Sequence, residues 1–586
     1  MEAYRLEIPD CPADAVRRLE RELAVSEPLA QVLVRRGLGE AALARSFLAA
    51  SELHPASAFA GIDAAVDRIL EHVRRGRRIT VHGDYDVDGV CATAVLVRTL
   101  RALGADVDSF LPDRAGDGYG LSESTVRALA ARGTRLLLTA DCAITAVRET
   151  ALARQLGMEV VVSDHHAPRA DGALPDVPIV HPAVCGYPCP ELCATAVAYK
   201  LASAVLQASG GPQQEPEEDL DLVALATIAD VVPLRGENRS LARRGLRALA
   251  RTRKPGLRAL MAVSRVDPGM LNERSVAFAL GPRLNAAGRM HRADAGLELI
   301  LTGERARAAQ IAEELDRANS ERRLVERQIR FAAEEQIAAL GDRGAYVLAA
   351  EGWHAGVIGI VAARLAERHH RPVVMISLQN GRGKGSGRSI EGFDLLAGLS
   401  ACAQQLLRYG GHRAAAGLEI EDARVQEFAA ALNDHAASVM RPEDAVAVER
   451  VDAIVRGGEL GMELAEELQM LAPFGRGNPG VSLLVEDARF RDGRPMGDGK
   501  HVRFTVESCG ARARAVAFGT GGRLPVGDGA PAEATFTLEV NEWNGVSEPR
   551  LVLRRARPAA SHGGIEDAAP AAERGDAEEL VLFALD

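Results

Sequence analysis

The stretch Val81–Val90, VHGDYDVDGV, carries His82 and then Asp84, Asp86 and Asp88 at alternate positions. Three more polar groups close apolar runs further along: Asp141 after RLLLT, Asp164, His165 and His166 after MEVVVS, and Asp230 at the end of DLVALATIAD. Carboxylates at this density repel one another unless cations lie among them. Mixed Asp and His donors suit Mn²⁺, or Mg²⁺ with more retained water. Two such ions ~3.5–4 Å apart can activate a water and stabilise the leaving oxygen of a phosphoryl displacement. A single Asp at a strand end is ordinarily a cap or turn residue. The D-x-D-x-D-G run also suggests a calcium-binding EF-hand loop. That reading fails because Val95 stands where the last acidic ligand belongs, and no helix-like run precedes the loop.

The elements around these residues alternate. RITVH, DVDSFLP, RLLLTAD, MEVVVSD and VPIVHP read as strands, with helix-like runs such as VCATAVLVRTLRAL and ITAVRETALARQLG between them. This rhythm implies a parallel sheet with helices on its faces. Open sheets of this kind place ligands at the C-terminal ends of their strands, where the acidic groups stand. Helices dominate from about 195 to 340, and residues 304–340 read as one charged helix without Gly or Pro, of the kind that bridges domains. A second α/β unit follows to about 420. Short strands from about 447, among them HVRFTVES and ATFTLEVNEW, suit a small β-barrel. The tail after about 558 is rich in Ala, Glu and Gly.

The chain has 586 residues, which by length alone is roughly three to five domains. No apolar run reaches the ~18 residues of a membrane span, and the first residues, MEAYRLEIPD, lack the apolar core of a signal peptide. A cytoplasmic protein with reduced cysteines is expected. The net charge of −11 argues against a general nucleic-acid coat but leaves room for a local basic groove. Arg235–Arg258 offers one on paper, with nine basic residues and one Glu; a solvated helix face is the alternative. His181, Cys185, Cys189 and Cys193 recur every four residues, but the spacing is not that of common zinc sites and prolines interrupt it. GRGKGSGRS, Gly381–Ser389, reads as a glycine-rich loop whose backbone N–H groups could approach a phosphate beside Lys384, Ser386 and Arg388. It is not a Walker motif, because Gly follows Lys384.

In their order and spacing, DYDVDG, DCAI, SDHH and TIADVVPL resemble the DHH phosphoesterase superfamily and, within it, the RecJ group of bacterial single-strand-specific exonucleases. LPDRAGDGYGL, GPRLNAAGRM, ELDRANSERR, GKGSGRS, RYGGHRAAAGL and LAPFGRGNP extend the resemblance over about 30–555. Ala143 departs from it, standing where a Gly often follows the DC pair, and CATA replaces a glycine-rich run.

The resemblance implies a fold and a set of roles. The fold is a DHH-type parallel-sheet domain joined by a long helix to a second α/β domain of DHHA1 type, then a barrel like an oligonucleotide-binding (OB) fold. The implied divisions are a helical part packing on the DHH domain (1–60), the DHH domain (61–303), the connecting helix (304–340), the DHHA1-like domain (341–442), the OB-like domain (443–557) and a flexible tail (558–586). Asp86 would bind one metal ion with His82 near it, Asp88 the other, and Asp141 both; His165 and Asp230 would complete the second site. His166 would face the scissile phosphate, and Asp84 would orient a ligand from behind. Arg114, Arg289, Ser386 and Arg388 would hold a 5′-phosphate, Tyr119 would stack a base, and His412 would reach the substrate between the domains. In the barrel, Phe504, Trp543, Arg550 and Arg555 are candidates for strand contact.

The implied activity is 5′-to-3′ hydrolysis of single-stranded DNA to mononucleotides with two Mn²⁺ or Mg²⁺ ions, in repair and recombination. A single-strand-binding protein and a RecQ-type helicase are the implied partners, and the enzyme would be a monomer. Two other readings are a phosphodiesterase of short oligonucleotides or cyclic dinucleotides, and a non-catalytic single-strand-binding replication factor. Relatives of the first kind generally lack the long helix and barrel. The second would not need metal donors at four element ends.

Overall fold

The computed structural model describes residues 4–112, 120–210, 217–290, 294–543 and 545–559. They fall into two compact units: residues 50–439 with 475–478, and residues 4–49 with 440–474 and the rest of the chain from 479.

The larger unit holds the predicted parallel sheet. Its strands run in the order Val107–Phe110, Ile79–His82, Leu136–Thr139, Glu159–Ser163, Ile179–Val180, all parallel. ITVH and LLLT are buried along their whole length, as strands covered on both faces must be. The chain steps from the Ile79–His82 strand to one side, then returns to the other. That places a crevice where His82 and Thr139 lie in register at the strand ends. The helix Val87–Ala102 follows at once, buried over most of its surface. Gly89 lets it approach the acidic loop: an added Cβ would lie 2.5 Å from the Asp84 backbone nitrogen.

The charged stretch from 304 forms one helix, Arg305–Leu340, 36 residues long and so about 54 Å. Ile311, Ala312 and Leu315 pack into the core of the parallel-sheet domain. Ile329, Ala333 and Ile337 pack into that of the second α/β domain. The helix is therefore anchored by both domains rather than being a bare spacer.

The second sheet is ordered Leu406–Gly411, Ala415–Glu421, Arg382–Arg388, Val373–Gln379, Tyr346–Glu351. Here the sequence reading is corrected: the Gly381–Ser389 segment is not a loop but the middle strand. Gly383, Gly385 and Gly387 alternate on its packed face, where an added Cβ would lie 2.5–2.8 Å from Ile376, Leu418 or Leu395. The glycines make room for facing side chains. Lys384, Ser386 and Arg388 take the other face.

The smaller unit contains the barrel: Leu483–Met496, His501–Ser508, Ala511–Ala517, Val546–Pro558 and Pro531–Trp543, closed by pairing of the first with the last. The expectation that residues 1–60 pack on the parallel-sheet domain is corrected for residues 4–49. Leu19, Leu29 and Leu33 share a core with Ala453, Leu483 and Phe536. The Tyr4–Glu7 strand pairs with Ala447–Arg450, and Arg36 grips Asp452 through two 2.9 Å bonds. An amphipathic stripe announces that a helix packs but not on what. Ala56 and Phe59 do join the parallel-sheet core.

One further candidate is corrected. Phe504 is 4% exposed, with its ring 4.8 Å from Phe490, and belongs to the barrel core. Phe504→Ala is expected to lower stability by about 3–5 kcal/mol, measured by denaturant unfolding; a change under 1 kcal/mol would contradict this placement. Arg550 pairs with Glu539, Arg555 lies 5.8 Å over the Tyr4 ring, and the Trp543 side chain lies outside the described residues. Two basic residues of the stretch Arg235–Arg258 are withdrawn from any groove. Arg239 is buried, and Lys254 is buried against Asp221 (2.8 Å) and Asp219 (3.2 Å). Among the described residues no helix is long and apolar enough to cross a membrane.

Candidate metal centre and terminal-phosphate pocket

The strand ends bring together Asp84, Asp86, Asp88, Asp141, His165 and His166, and the C-terminus of the helix Leu220–Ala229 adds Asp230; His82 ends the Ile79–His82 strand but joins none of the donor sets. Three sets of donor atoms each lie within 4.8 Å: Asp84, Asp86 and Asp141; Asp141, His165 and His166; Asp88, His165 and Asp230. His165 Nε2 is 3.3 Å from Asp141 Oδ1 and 3.7 Å from both Asp88 Oδ2 and Asp230 Oδ2. Asp84 stands with Asp86 and Asp141 in this geometry, not behind them as expected.

Local structure fixes each group. Asp86 caps its helix, its Oδ1 accepting from the N–H groups of Asp88 (3.0 Å) and Gly89 (3.1 Å). Asp88 is held by the helix Ala194–Ala208, accepting from Ala194 N (2.7 Å), Thr195 N (2.7 Å) and Thr195 Oγ1 (2.6 Å). The helix N-terminus stabilises its charge. Asp141 and Ala143 both adopt left-handed backbone, φ +68° and +85°. Ala143 thus bears in strained form a left-handed turn that favours glycine. His82 is fully buried, its Nδ1 3.4 Å from Cys142 Sγ.

Three fixing roles, of Asp164, His181 and Asn285, were missed from sequence. Asp164 accepts from Ile144 N (2.8 Å), His165 N (2.7 Å), His166 N (3.2 Å) and His166 Nδ1 (2.8 Å). It orients the His166 ring and leaves Nε2 as the other reactive nitrogen. His181, weighed above as a zinc ligand, donates from Nε2 to His166 O (2.8 Å), because its Nδ1 accepts from Val184 N. Asn285 Oδ1 accepts from Val87 N (3.0 Å), bracing the acidic loop.

The electrostatics follow from crowding. Burial, then Asp88, Asp86, Asp84 and Asp230, push the Asp141 carboxyl well above its ordinary pKa. Burial and Asp88 do the same to Asp230, against His165. Burial and Asp88 raise Asp86, against the Gly89 N–H and both histidines. Burial alone would lower His165, but Asp88, Asp230, Asp164 and Asp86 outweigh it and raise it. Burial opposes ionisation of Asp164, yet the His166 hydrogen bond and charge with the backbone donors hold it low. Asp141 Oδ1 is buried and accepts no hydrogen bond among the described residues. An oxygen-rich set with imidazole and an unsatisfied buried carboxylate oxygen fits divalent Mn or Mg.

A pH dependence follows. Carboxyls raised in the folded state favour folding below their unfolded value of about 4, and this is lost as pH rises through the raised folded values. In EDTA the melting temperature of the parallel-sheet unit is expected to fall from pH 5.5 to 8.5. Saturating Mn²⁺ is expected to flatten that fall. Identical slopes with and without Mn²⁺ would contradict it.

A second cluster lies across a cavity of about 610 Å³. One wall, Ile228 to Val231, flanks Asp230; among the described residues five arginines and no acidic side chain line the cavity, and two of the five, Arg322 and Arg364, pair with the buried Glu326 behind it (3.0 and 2.9 Å). Arg289 Nη1 donates to Gly356 O (3.0 Å). Arg388 Nη1 donates to Ser386 Oγ (3.2 Å) and Gly387 O (2.8 Å). At Gly359 an added Cβ would lie 2.8 Å from Ser386 Oγ and 3.3 Å from Arg388 Nη2. Arg289, Ser386 and Arg388 thus converge on the N-terminus of the helix Ile358–His369, an arrangement suited to an anion. His412 stands on the exposed turn between Leu406–Gly411 and Ala415–Glu421. Arg114 and Tyr119 lie outside the described residues.

Acids gathered at the strand ends of one domain and an anion-suited arginine cluster on the next suit a two-domain phosphoesterase, and family comparison agrees. Residues 78–227 match the DHH family N-terminal domain, 342–438 the DHHA1 domain and 451–555 the RecJ OB domain. The chain belongs to the RecJ family. It is 38% identical over 565 residues to the single-stranded-DNA-specific exonuclease RecJ of Bacillus subtilis, covering 94% of this chain and 70% of that protein. To the RecJ of Thermus thermophilus it is 37% identical, covering 92% and 79%. The crystal structure of Thermus thermophilus RecJ with Mn²⁺ superposes with a TM-score of 0.83 at 32% identity, covering 96% of this chain and 81% of that one; a Mg²⁺ complex gives 0.77.

Proposed function

We propose that this enzyme hydrolyses single-stranded DNA from its 5′ end, releasing 5′-mononucleotides, with two Mn²⁺ or Mg²⁺ ions. The observation that carries the reading is the buried donor cluster around Asp141, with Arg289 lining an arginine-rich cavity whose wall includes the neighbours of Asp230 in sequence. Relatives named as single-stranded-DNA-specific exonucleases support it.

His82, Asp84, Asp86, Asp88, Asp141, His165 and Asp230 would hold the ions. When bound, the ions would lower the pKa of a water and neutralise charge at the departing oxygen. Arg289, Ser386 and Arg388, with Arg114, would grip the terminal phosphate, so that only the first linkage reaches the acids. Asp164 holds Nδ1 of His166, leaving Nε2 to stabilise developing charge or carry a proton. Water adds to phosphorus and the 3′-oxygen departs. Tyr119 and His412 are substrate contacts in the same reading. The barrel would hold the strand further along. A single-strand-binding protein and a RecQ-type helicase would be partners in repair and recombination, the enzyme acting as a monomer in the cytoplasm.

The test is digestion of one labelled oligonucleotide, single-stranded and in duplex, with Mn²⁺ or EDTA. Mononucleotide release from the single strand alone, and only with metal, is expected. Consumption of only di- to pentanucleotides would move the reading to an oligonucleotide-scavenging phosphodiesterase. Binding without cleavage would move it to a non-catalytic factor.

A further inference from the structure

One short helix, Gly281–Met290, touches both the acidic loop and the segment that leads into the anion pocket. A π turn, Val276–Leu280, runs into it, a local rearrangement common beside functional sites. Arg283 pins it to the long Arg305–Leu340 helix, donating from Nε to Asp316 Oδ1 (2.8 Å).

Three of its contacts reach the acids. Asn285 Oδ1 accepts from Val87 N (3.0 Å), the N–H that lies between Asp86 and Asp88. Three residues on, Gly288 lies against Tyr85, between Asp84 and Asp86. A Cβ added there would stand 2.7 Å from Tyr85 O and 3.2 Å from Tyr85 Cβ. At the start of the helix, a Cβ on Gly281 would stand 3.3 Å from Cβ of Ala229, the residue before Asp230. A fourth contact reaches the other way. Arg289 Nη1 donates to Gly356 O (3.0 Å), and a Cβ on Gly356 would stand 3.1 Å from Arg289 O. Gly356 lies two residues before the helix Ile358–His369, on whose N-terminus Arg289, Ser386 and Arg388 converge.

Adjacent positions, Gly288 and Arg289, thus bear on the acidic loop and on the pocket. The loop belongs to the first α/β domain and Gly356 to the second. Cleavage one nucleotide from a gripped terminus needs the two held at a fixed separation, because a misplacement of about 1 Å can cost about 10²-fold in rate.

We propose that the helix Gly281–Met290 is the spacer that holds the acidic loop at a fixed distance from the terminal-phosphate pocket, with Asn285 and Gly288 as positioning residues acting through the loop. This rests on the reading of the chain as a single-strand DNA hydrolase. Both residues act on backbone. Asn285 holds the peptide between two acids, and the bare Cα of Gly288 lets the loop lie flush on the helix. Asn285 also lines the cavity, so strand binding is the competing role.

The test uses the full-length protein, as wild type, Asn285→Ala and Gly288→Ala. Each is measured for kcat and KM on 5′-phosphorylated and 5′-hydroxyl single strands in Mn²⁺, for melting in EDTA, and for the shift in melting produced by Mn²⁺. Alanine inside a helix ordinarily favours the helix over glycine, so a loss in Gly288→Ala reports the contact with Tyr85. Both variants are expected to lower kcat about 10–100-fold and to shrink the Mn²⁺ shift. KM is expected to stay within about threefold of wild type, and the ratio of kcat/KM between the two strands to be unchanged. A kcat within about threefold of wild type in either variant overturns the proposal, as does an undiminished Mn²⁺ shift. So does a loss carried by KM or by that ratio, which would make Asn285 a strand contact. A fall in EDTA melting of more than about 5 °C in both variants would make the helix merely structural and overturn it too. Absence of cleavage by the wild type would instead refute the hydrolase reading itself.

Discussion

Asp141→Asn is expected to abolish cleavage and, in EDTA at pH 7.5, to make the protein more stable. The two effects have one cause. Asp141 is 2% exposed, its Oδ1 accepts no hydrogen bond among the described residues, and four carboxylates act on it. Without cations the folded state must either bury this charge or take up a proton to remove it, and both cost stability near neutral pH. Asparagine keeps the shape and drops the charge, so metal-free stability should rise by about 1–3 kcal/mol. With Mn²⁺ the order should reverse, because the wild type gains ligand-linked stability that the variant largely lacks. Loss of charge stabilisation at the reacting phosphate should lower kcat by at least about 10³-fold. Thermal melts in EDTA and in Mn²⁺, beside a cleavage assay, check all three. A variant less stable than wild type in EDTA would mean that Asp141 is structurally paired and the cluster is not a metal centre.

Arg388→Ala should erase discrimination at the strand terminus. Arg388 and Ser386 face the first turn of the helix Ile358–His369, with Arg289 bonded to Gly356 just before it. A doubly charged terminal phosphate would receive charge-assisted hydrogen bonds there, each worth about 1.5–3 kcal/mol. The wild type is expected to prefer a 5′-phosphorylated strand over its 5′-hydroxyl counterpart. Arg388→Ala should lower kcat/KM on the phosphorylated strand about 10–100-fold and leave the 5′-hydroxyl strand nearly unchanged. Equal losses on both would show that Arg388 supports the fold or an internal phosphate, not the terminus.

The candidate metal centre was visible in the sequence because its proposed donors sit at the ends of buried strands and one helix, where short apolar runs stop abruptly at Asp or His. Strand order and burial then follow from the pleat and the crossover rule. The residues that hold the donors were not legible. Asp164 works through backbone N–H groups that only the folded turn gathers, and His181 reaches a carbonyl 15 residues away in sequence. The alternation Arg-Gly-Lys-Gly-Ser-Gly-Arg did carry a strand period. The glycine content suggested a loop until the facing side chains of Ile376 and Leu418 explained it. The packing partner of residues 4–49 could not be read from their own stripe, since the matching surface is formed by residues more than 400 positions later. In the basic run from Arg235, the pairing of Lys254 to acids on another element was invisible for a related reason.

The most direct test of the central claim is the order in which labels leave a single strand. One oligonucleotide carries a label on its 5′-terminal nucleotide and an identical one on its 3′-terminal nucleotide, each digested in Mn²⁺ and sampled within the first turnovers. The expected result is immediate release of the 5′ label as mononucleotide, while the 3′ label stays in a ladder of shortening strands. Release of the 3′ label first, or of long internal fragments from either strand, would contradict a terminal-phosphate pocket set one nucleotide from the metal centre.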